Sequence, residues 1–244
     1  VILFSGDAYV DHPSFGAAVI GRILEAKGLR VAIVPQPNWR DDLRDFRKLG
    51  RPRLFFGISA GCMDSMVNKY TANKRLRSDD AYTPDGRPDM RPEYPSIVYT
   101  QILKKLYPDV PVVLGGIEAS MRRLSHYDYW QDRLKKSILC ESGADMLIYG
   151  MGEKPICELV RRLTALCDNQ DGVISSSDIH SPALSSIPQT AYLTRKYESD
   201  ENDITLYSHE ECLADKKKQA TNFRHIEEES NKYAAARIVQ AVDG

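Results

Sequence analysis

Short apolar runs alternate with helical periodicity through the first two thirds of the chain. Residues 1–5 form the first run and predict a buried strand. Phe15, Val19, Ile20, Ile23 and Leu24 then recur at helical spacing, and Lys27-Gly28 supplies a stop. Residues 30–34, 54–59, 110–114 and 145–149 predict four further strands. Residues 97–106 read as a helix ended by Pro108, and Ile156, Leu159, Val160, Leu163 and Leu166 make an apolar helical stripe. Asn38 stands where it could cap a short helix carrying Trp39, Leu43 and Phe46. Strands separated by helices imply parallel pairing and right-handed crossovers. The expected fold of residues 1–167 is therefore α/β: an open parallel sheet of about five strands with helices on both faces.

Two stretches do not fit that minimal unit. Residues 72–95 are rich in Asp, Arg, Pro and Gly, with Tyr82-Thr83-Pro84-Asp85-Gly86 as a turn signal. Residues 126–139 are aromatic and charged. Both fall on the side of the sheet where its ligands sit, so both are read as insertions covering a site. After Cys167 the pattern changes. Residues 168–188 are polar and Ser-rich, like a linker; 190–195 could form an edge strand; 208–242 read as one long polar helix or two. The run Lys216-Lys217-Lys218 against Glu227-Glu228-Glu229 reads as a solvated face. Residues 168–244 are thus expected to be a linker and a mainly helical extension.

Ligands of open parallel sheets bind beyond the carboxyl ends of the strands. The first such loop offers Gly6, Asp7, Asp11, His12 and Ser14 before a helix start, where amide donors favour an anion. Capping alone would also account for Ser14, Asp11 or His12. The fourth loop carries Gly115, Gly116 and Glu118, and the fifth Gly150, Gly152 and Glu153. Glycines there either allow close backbone approach to a ligand or only make a tight turn. His126 and Asp128 add an imidazole and a carboxylate among aromatics, suited to a pocket lid or a domain interface. No fixed metal-ligand spacing, G-x-G-x-x-G or P-loop pattern occurs.

A net charge of -1 provides no field for general nucleic-acid binding. The longest apolar runs are strand-sized, so no membrane span is expected. Five scattered cysteines, Cys62, Cys140, Cys157, Cys167 and Cys212, suit the reduced thiols of a cytoplasmic protein. Val1 already lies inside a strand-like run, so an upstream segment is expected.

Several blocks in order resemble one family. Gly6 to Gly16, Gly57-Ile58-Ser59-Ala60-Gly61, Gly115 to Arg123 with His126 to Trp130, and Tyr149 to Glu153 look like the N-terminal domain of long, uncharacterised bacterial radical-SAM proteins. More widely, the loops resemble the cobalamin-binding domains preceding many radical-SAM cores, which implies a flavodoxin-like or cobalamin-binding-like sheet. The cobalamin pattern Asp-x-His-x-x-Gly is only partly matched: Asp11 and Gly16 align, but Pro13 stands at the histidine position and His12 is one residue out of register. The cysteine triad of a radical-SAM core is absent from these 244 residues. The resemblance implies that the core, with its 4Fe-4S cluster and S-adenosylmethionine, follows Gly244 as this chain's partner, acting on an unknown substrate. This chain is then an accessory domain contributing pocket walls, binding no cofactor and at most weakly cobalamin. The other readings are a cobalamin carrier, a flavodoxin-like nucleotide or flavin binder, and a degenerate α/β docking domain. Under the accessory reading, Asp7, Asp11, His12, Glu118 and residues 126–130 are expected to converge above the first and fourth strands.

Overall fold

A computed structural model describes residues 1–8, 16–169 and 172–243. Its strands are β1 (Ile2–Ser5), β2 (Ala32–Pro35), β3 (Phe56–Ser59), β4 (Val112–Gly115), β5 (His126–Asp128), β6 (Arg133–Lys135), β7 (Met146–Ile148), β8 (Thr190–Ala191), β9 (Ile204–Thr205) and β10 (Ile238–Val239). The helices are α1 (Gly16–Ala26), α2 (Arg44–Arg47), α3 (Ser65–Lys69), α4 (Pro95–Leu106), α5 (Gly116–Met121), α6 (Ile138–Ser142), α7 (Glu153–Asn169), α8 (Ser176–Ile179), α9 (Pro182–Ser185), α10 (His209–Ala214) and α11 (Lys216–Ser230). The chain divides into two compact units, Val1–Arg123 with Ile138–Leu193, and Leu124–Ser137 with Thr194–Gly244.

The first unit holds a six-stranded sheet in the order β2-β1-β3-β4-β7-β8. The first five strands are parallel, and β8 closes the edge antiparallel to β7. This is the expected open α/β sheet, one strand larger because residues 190–191 do form an edge strand. Side chains alternate through the sheet as strand geometry requires. Ile2, Phe4, Phe56, Ile58, Val112 and Leu114 pack in one layer with Tyr99 and Leu103 of α4. Leu3, Val113, Met146 and Ile148 pack in the other with Leu24 of α1 and the Ile156-Leu159-Val160-Leu163 stripe of α7. Ile174, Ile179, Leu184 and Ile187, from the Ser-rich stretch, are buried in that second layer.

Between β2 and β3 the chain departs from the expected helix. Asn38 turns its own backbone by accepting from the Arg40 amide at 3.1 Å. Leu43 then takes a left-handed φ of 62°, so α2 is a single turn that Asn38 does not cap. Phe46 still reaches the core and stacks on Phe4 at 5.2 Å between ring centroids.

The second unit contains the antiparallel hairpin β5–β6, the short parallel pair β9–β10, and α10 and α11. The long polar stretch is two helices because Asp215 ends one and caps the next, accepting from the Lys217 amide at 2.9 Å. Ser208 and Glu211 form a capping box at the start of α10. The Glu227 to Glu229 run is not uniformly solvated, since Glu229 is buried and accepts from the Ala236 amide at 2.9 Å.

Candidate functional site

Register fixes where a site can form. Ser5 lies opposite Ser59, and Ser59 opposite Gly115, so β1, β3 and β4 end at one level. The chain leaves β1 for β2 on one side and returns to β3 on the other, which places the switch in strand order between β1 and β3. That crevice is where doubly wound sheets hold ligands.

Here the described side of the crevice is filled by the chain itself. Arg91, from the 72–95 insertion, is 4% exposed. Its Nη1 donates to Asp7 Oδ1 at 2.6 Å and to the Ala60 carbonyl at 3.1 Å. Its Nη2 donates to both Asp80 carboxylate oxygens, at 3.0 and 2.9 Å. Asp7 Oδ2 accepts from the Cys62 amide at 2.7 Å, so the loops after β1 and β3 are tied to each other. Gln36 donates to the Gly6 carbonyl at 3.2 Å and to Thr83 Oγ1 at 2.8 Å, fastening the insertion a second time. A third tie runs from the Ala8 amide to the Tyr82 carbonyl at 3.0 Å. Gly6 and Gly61 are required by this closeness. A Cβ on Gly6 would collide with the Ala60 carbonyl, and one on Gly61, at φ +118°, with the Asp7 carboxylate.

Burial pushes the Asp7 carboxyl up from its ordinary range, against the pull of Arg91 and the Cys62 amide. Asp80 is held below its ordinary range: burial opposes this, but Arg91 and the Tyr82 amide outweigh it. Burial, reinforced by Asp7, pushes the Cys62 thiol up to about 12. Cys62 is therefore a thiol at neutral pH, a poor ligand and a poor nucleophile.

A second polar network lies under α5. Glu118 is fully buried. Its Oε2 accepts from the Ser65 amide at 3.2 Å and from Ser65 Oγ, and its Oε1 accepts from the Ser96 amide at 3.1 Å. Asp64 caps α3 through the Met66 and Val67 amides and pairs with Arg122. Glu118 thus splices α3, α4 and α5 together.

Of the site residues expected from sequence, Asp7 and Glu118 enter separate networks in this polar layer. Gly6 lies in the first network, and Gly115 and Gly116 end β4. Of that pair only Gly116 needs to be glycine for its backbone, with φ +84°. Gly150, Gly152 and Glu153 join β7 to α7, and the Gly150 amide donates to Ser120 Oγ at 3.1 Å. His126 and Asp128 belong to the other compact unit, where the Gln131 amide donates to Asp128 at 2.9 Å. Asp11, His12 and Ser14 lie outside the described residues. Sequence reasoning missed Arg91, Asp80 and Gln36. The available signal was the turn at 82–86, flanked by acidic and basic groups within an insertion.

These residues do not fit an iron–sulfur cluster. Such a cluster needs cysteines converging on one site, whereas Cys62 is exposed, Cys140 and Cys157 are half-buried, and Cys167 and Cys212 are buried in different units. No group of three or more metal-ligating side chains occurs among the described residues. Among the described residues, the Arg91 guanidinium is held beside the ends of β1 and β3, where a corrin or flavin ring would otherwise enter. No described helix is long and apolar enough to cross a membrane.

Fold and site define a doubly wound α/β domain whose switch-point crevice is filled, on its described side, by its own insertion. The chain belongs to the Radical SAM N-terminal family, whose model matches residues 1–244. It is 78% identical over its whole length to a UPF0313 protein of Bacteroides thetaiotaomicron, covering 39% of that protein. It is 70% identical over 99% of its length to one of Porphyromonas gingivalis, covering 37% of it. The UPF0313 protein YgiQ of Escherichia coli is 58% identical over 67% of the chain, 22% of that relative. The chain thus spans less than two fifths of the relatives it matches. No solved structure matches it significantly.

Proposed function

We propose that this chain is the non-catalytic N-terminal domain of a radical-SAM enzyme, supplying walls of the substrate side while the cluster and S-adenosylmethionine are held elsewhere in the polypeptide. The observation that carries this reading is the filled crevice. Arg91, Asp7 and Asp80 satisfy one another where a sheet of this order would take up its own cofactor. Domain-level membership of a radical-SAM family, joined to five cysteines that do not converge, supports a reading in which the redox chemistry is held outside residues 1–244. A cobalamin carrier or flavin binder is disfavoured by the same geometry.

The test uses the full-length protein with its cluster reconstituted. Cys62, Cys140, Cys157, Cys167 and Cys212 are each replaced by Ala. Iron content, cluster absorbance and 5′-deoxyadenosine formation from S-adenosylmethionine are expected to remain at the wild-type level in every variant. Loss of iron on replacing any one, with the fold retained by circular dichroism, overturns the reading. So does a wild-type protein that neither holds a cluster nor cleaves S-adenosylmethionine.

A further inference from the structure

Beside the β1–β3 crevice, the carboxyl end of the sheet exposes a second feature at β4 and β7. α5 starts directly at the end of β4 and is six residues long. Its inner side carries the buried Glu118 and Ala119. Ile117 and Met121, four residues apart and so on one helical face, are 44% and 57% exposed. The next loop along the sheet, after β7, presents Met151 at 73% exposure. The bond from the Gly150 amide to Ser120 Oγ, at 3.1 Å, holds this loop against α5. Arg123 secures the rim, donating to the Ser120 carbonyl at 2.7 Å with its guanidinium 4.8 Å from the Tyr149 ring centroid. Gly116, which starts α5, and Gly150, in the loop after β7, are both exposed. A partner's backbone can approach closely there.

Exposed methionine and isoleucine on a rigid platform are costly to leave in water and suit an adaptable apolar contact. The platform is fixed from beneath, because Glu118 is tied to Ser65 and Ser96. Two concavities of the domain, of about 20 Å³ and 180 Å³, lie elsewhere, beside α3 and between α1 and β2. The surface calls for a protein partner.

We infer that the shelf of Ile117, Met121 and Met151 around Gly116 and Gly150 is the docking surface for the part of the same polypeptide that lies outside residues 1–244. The occupant follows from chain length. The chain covers 39% and 37% of two relatives that match it almost end to end, so more than half of each lies outside it. That remainder is tethered to this domain, and its high effective concentration favours it over a second copy. The inference rests on the accessory reading above for what the remainder does, but not for where it docks.

The experiment uses the full-length protein with a photo-crosslinking p-benzoylphenylalanine placed at position 121 or 151. Crosslinks are expected within one polypeptide, to residues outside 1–244. Crosslinks to a second copy, or only to residues 124–137 and 194–244, overturn the proposal, as does a lack of crosslinks at both positions. Methionine oxidation by peroxide gives a second readout with an internal reference. Met90, 42% exposed on the insertion, is less open here than Met121 or Met151. In the full-length protein Met121 and Met151 are nonetheless expected to oxidise roughly tenfold more slowly than Met90. Ile117→Glu should bring them to within about twofold of it. Oxidation of both as fast as Met90 in the wild type overturns the proposal. Deoxyadenosine formation measured in parallel separates the two ideas. Crosslinking without S-adenosylmethionine cleavage leaves docking standing and removes the catalytic reading. Cleavage without crosslinking or protection removes docking alone.

Discussion

Arg91 joins two carboxylates that are distant in sequence, Asp7 and Asp80, and all three side chains are buried. Replacing only the cation leaves two buried acids without their partner, which costs far more than the net worth of the triad. Arg91→Met should therefore destabilise the first unit by about 3–5 kcal/mol. Adding Asp7→Asn and Asp80→Asn should recover part of that loss, because the uncompensated charge is then gone. Urea unfolding followed through Trp39, which packs against the core, measures both in a Trp130→Phe background. A second residue sets a pH dependence in the other unit. His209 is buried, and Ser125 Oγ lies 3.0 Å from its Nδ1. Burial lowers its pKa from 6.5; Glu210 and Asp243 oppose this and Lys136 assists it. A depressed folded pKa means stability that is present above the unfolded value and lost as pH falls through the folded one. Limited proteolysis within residues 194–243 should accelerate as pH drops below 6.5. His209→Gln should flatten that rise.

Elements differ in how openly the sequence announces them. β1, β3, β4 and β7 are legible because buried parallel strands read as short apolar runs, and α7 because its stripe keeps one helical period. α2 was not, since the Asn38 side chain bends the backbone locally and Leu43 leaves the helical region. The packing of residues 174–187 was hidden as well. Ile174, Ile179, Leu184 and Ile187 follow neither a helical nor a strand period, so only the folded chain shows them buried. The stretches carrying Gly6-Asp7, Gly115-Gly116 and Gly150-Gly152 do lie at the ends of β1, β4 and β7, yet no signal singled out Arg91. An arginine in an Asp- and Pro-rich stretch reads as solvated, and its partner Asp7 is 84 residues away. The double glycine after β4 was read as one feature, and the structure separates it. Gly116 has φ +84°, and an added Cβ would stand 2.7 Å from Ser59 Oγ. Gly115 has φ −153°, and its nearest neighbour would be 3.9 Å away. Gly116→Ala should cost about 1–3 kcal/mol and Gly115→Ala less than about 0.5 kcal/mol, compared by urea midpoint.

At the scale of the whole molecule, a sheet ordered β2-β1-β3-β4-β7 normally makes a binding domain, and in this one the described side of the binding position holds Arg91. A ring ligand entering between β1 and β3 must displace the Arg91 guanidinium and break its bonds to Asp7, Ala60 and Asp80. It must also part the loops that the Asp7–Cys62 bond holds together. Such a ligand would have to replace a buried triad with contacts of equal strength, and a neutral isoalloxazine edge brings no cation to Asp7. Pro13 supplies no cobalt ligand at the position where the resembling domains carry histidine. Titration of the full-length protein with hydroxocobalamin or with FMN should accordingly give no tight, stoichiometric complex by absorbance or fluorescence quenching. Tight one-to-one binding that Arg91→Met leaves unchanged would place a ligand elsewhere on the protein. Binding strengthened by Arg91→Met would show instead that the crevice keeps its ligand capacity and that the insertion alone withholds it.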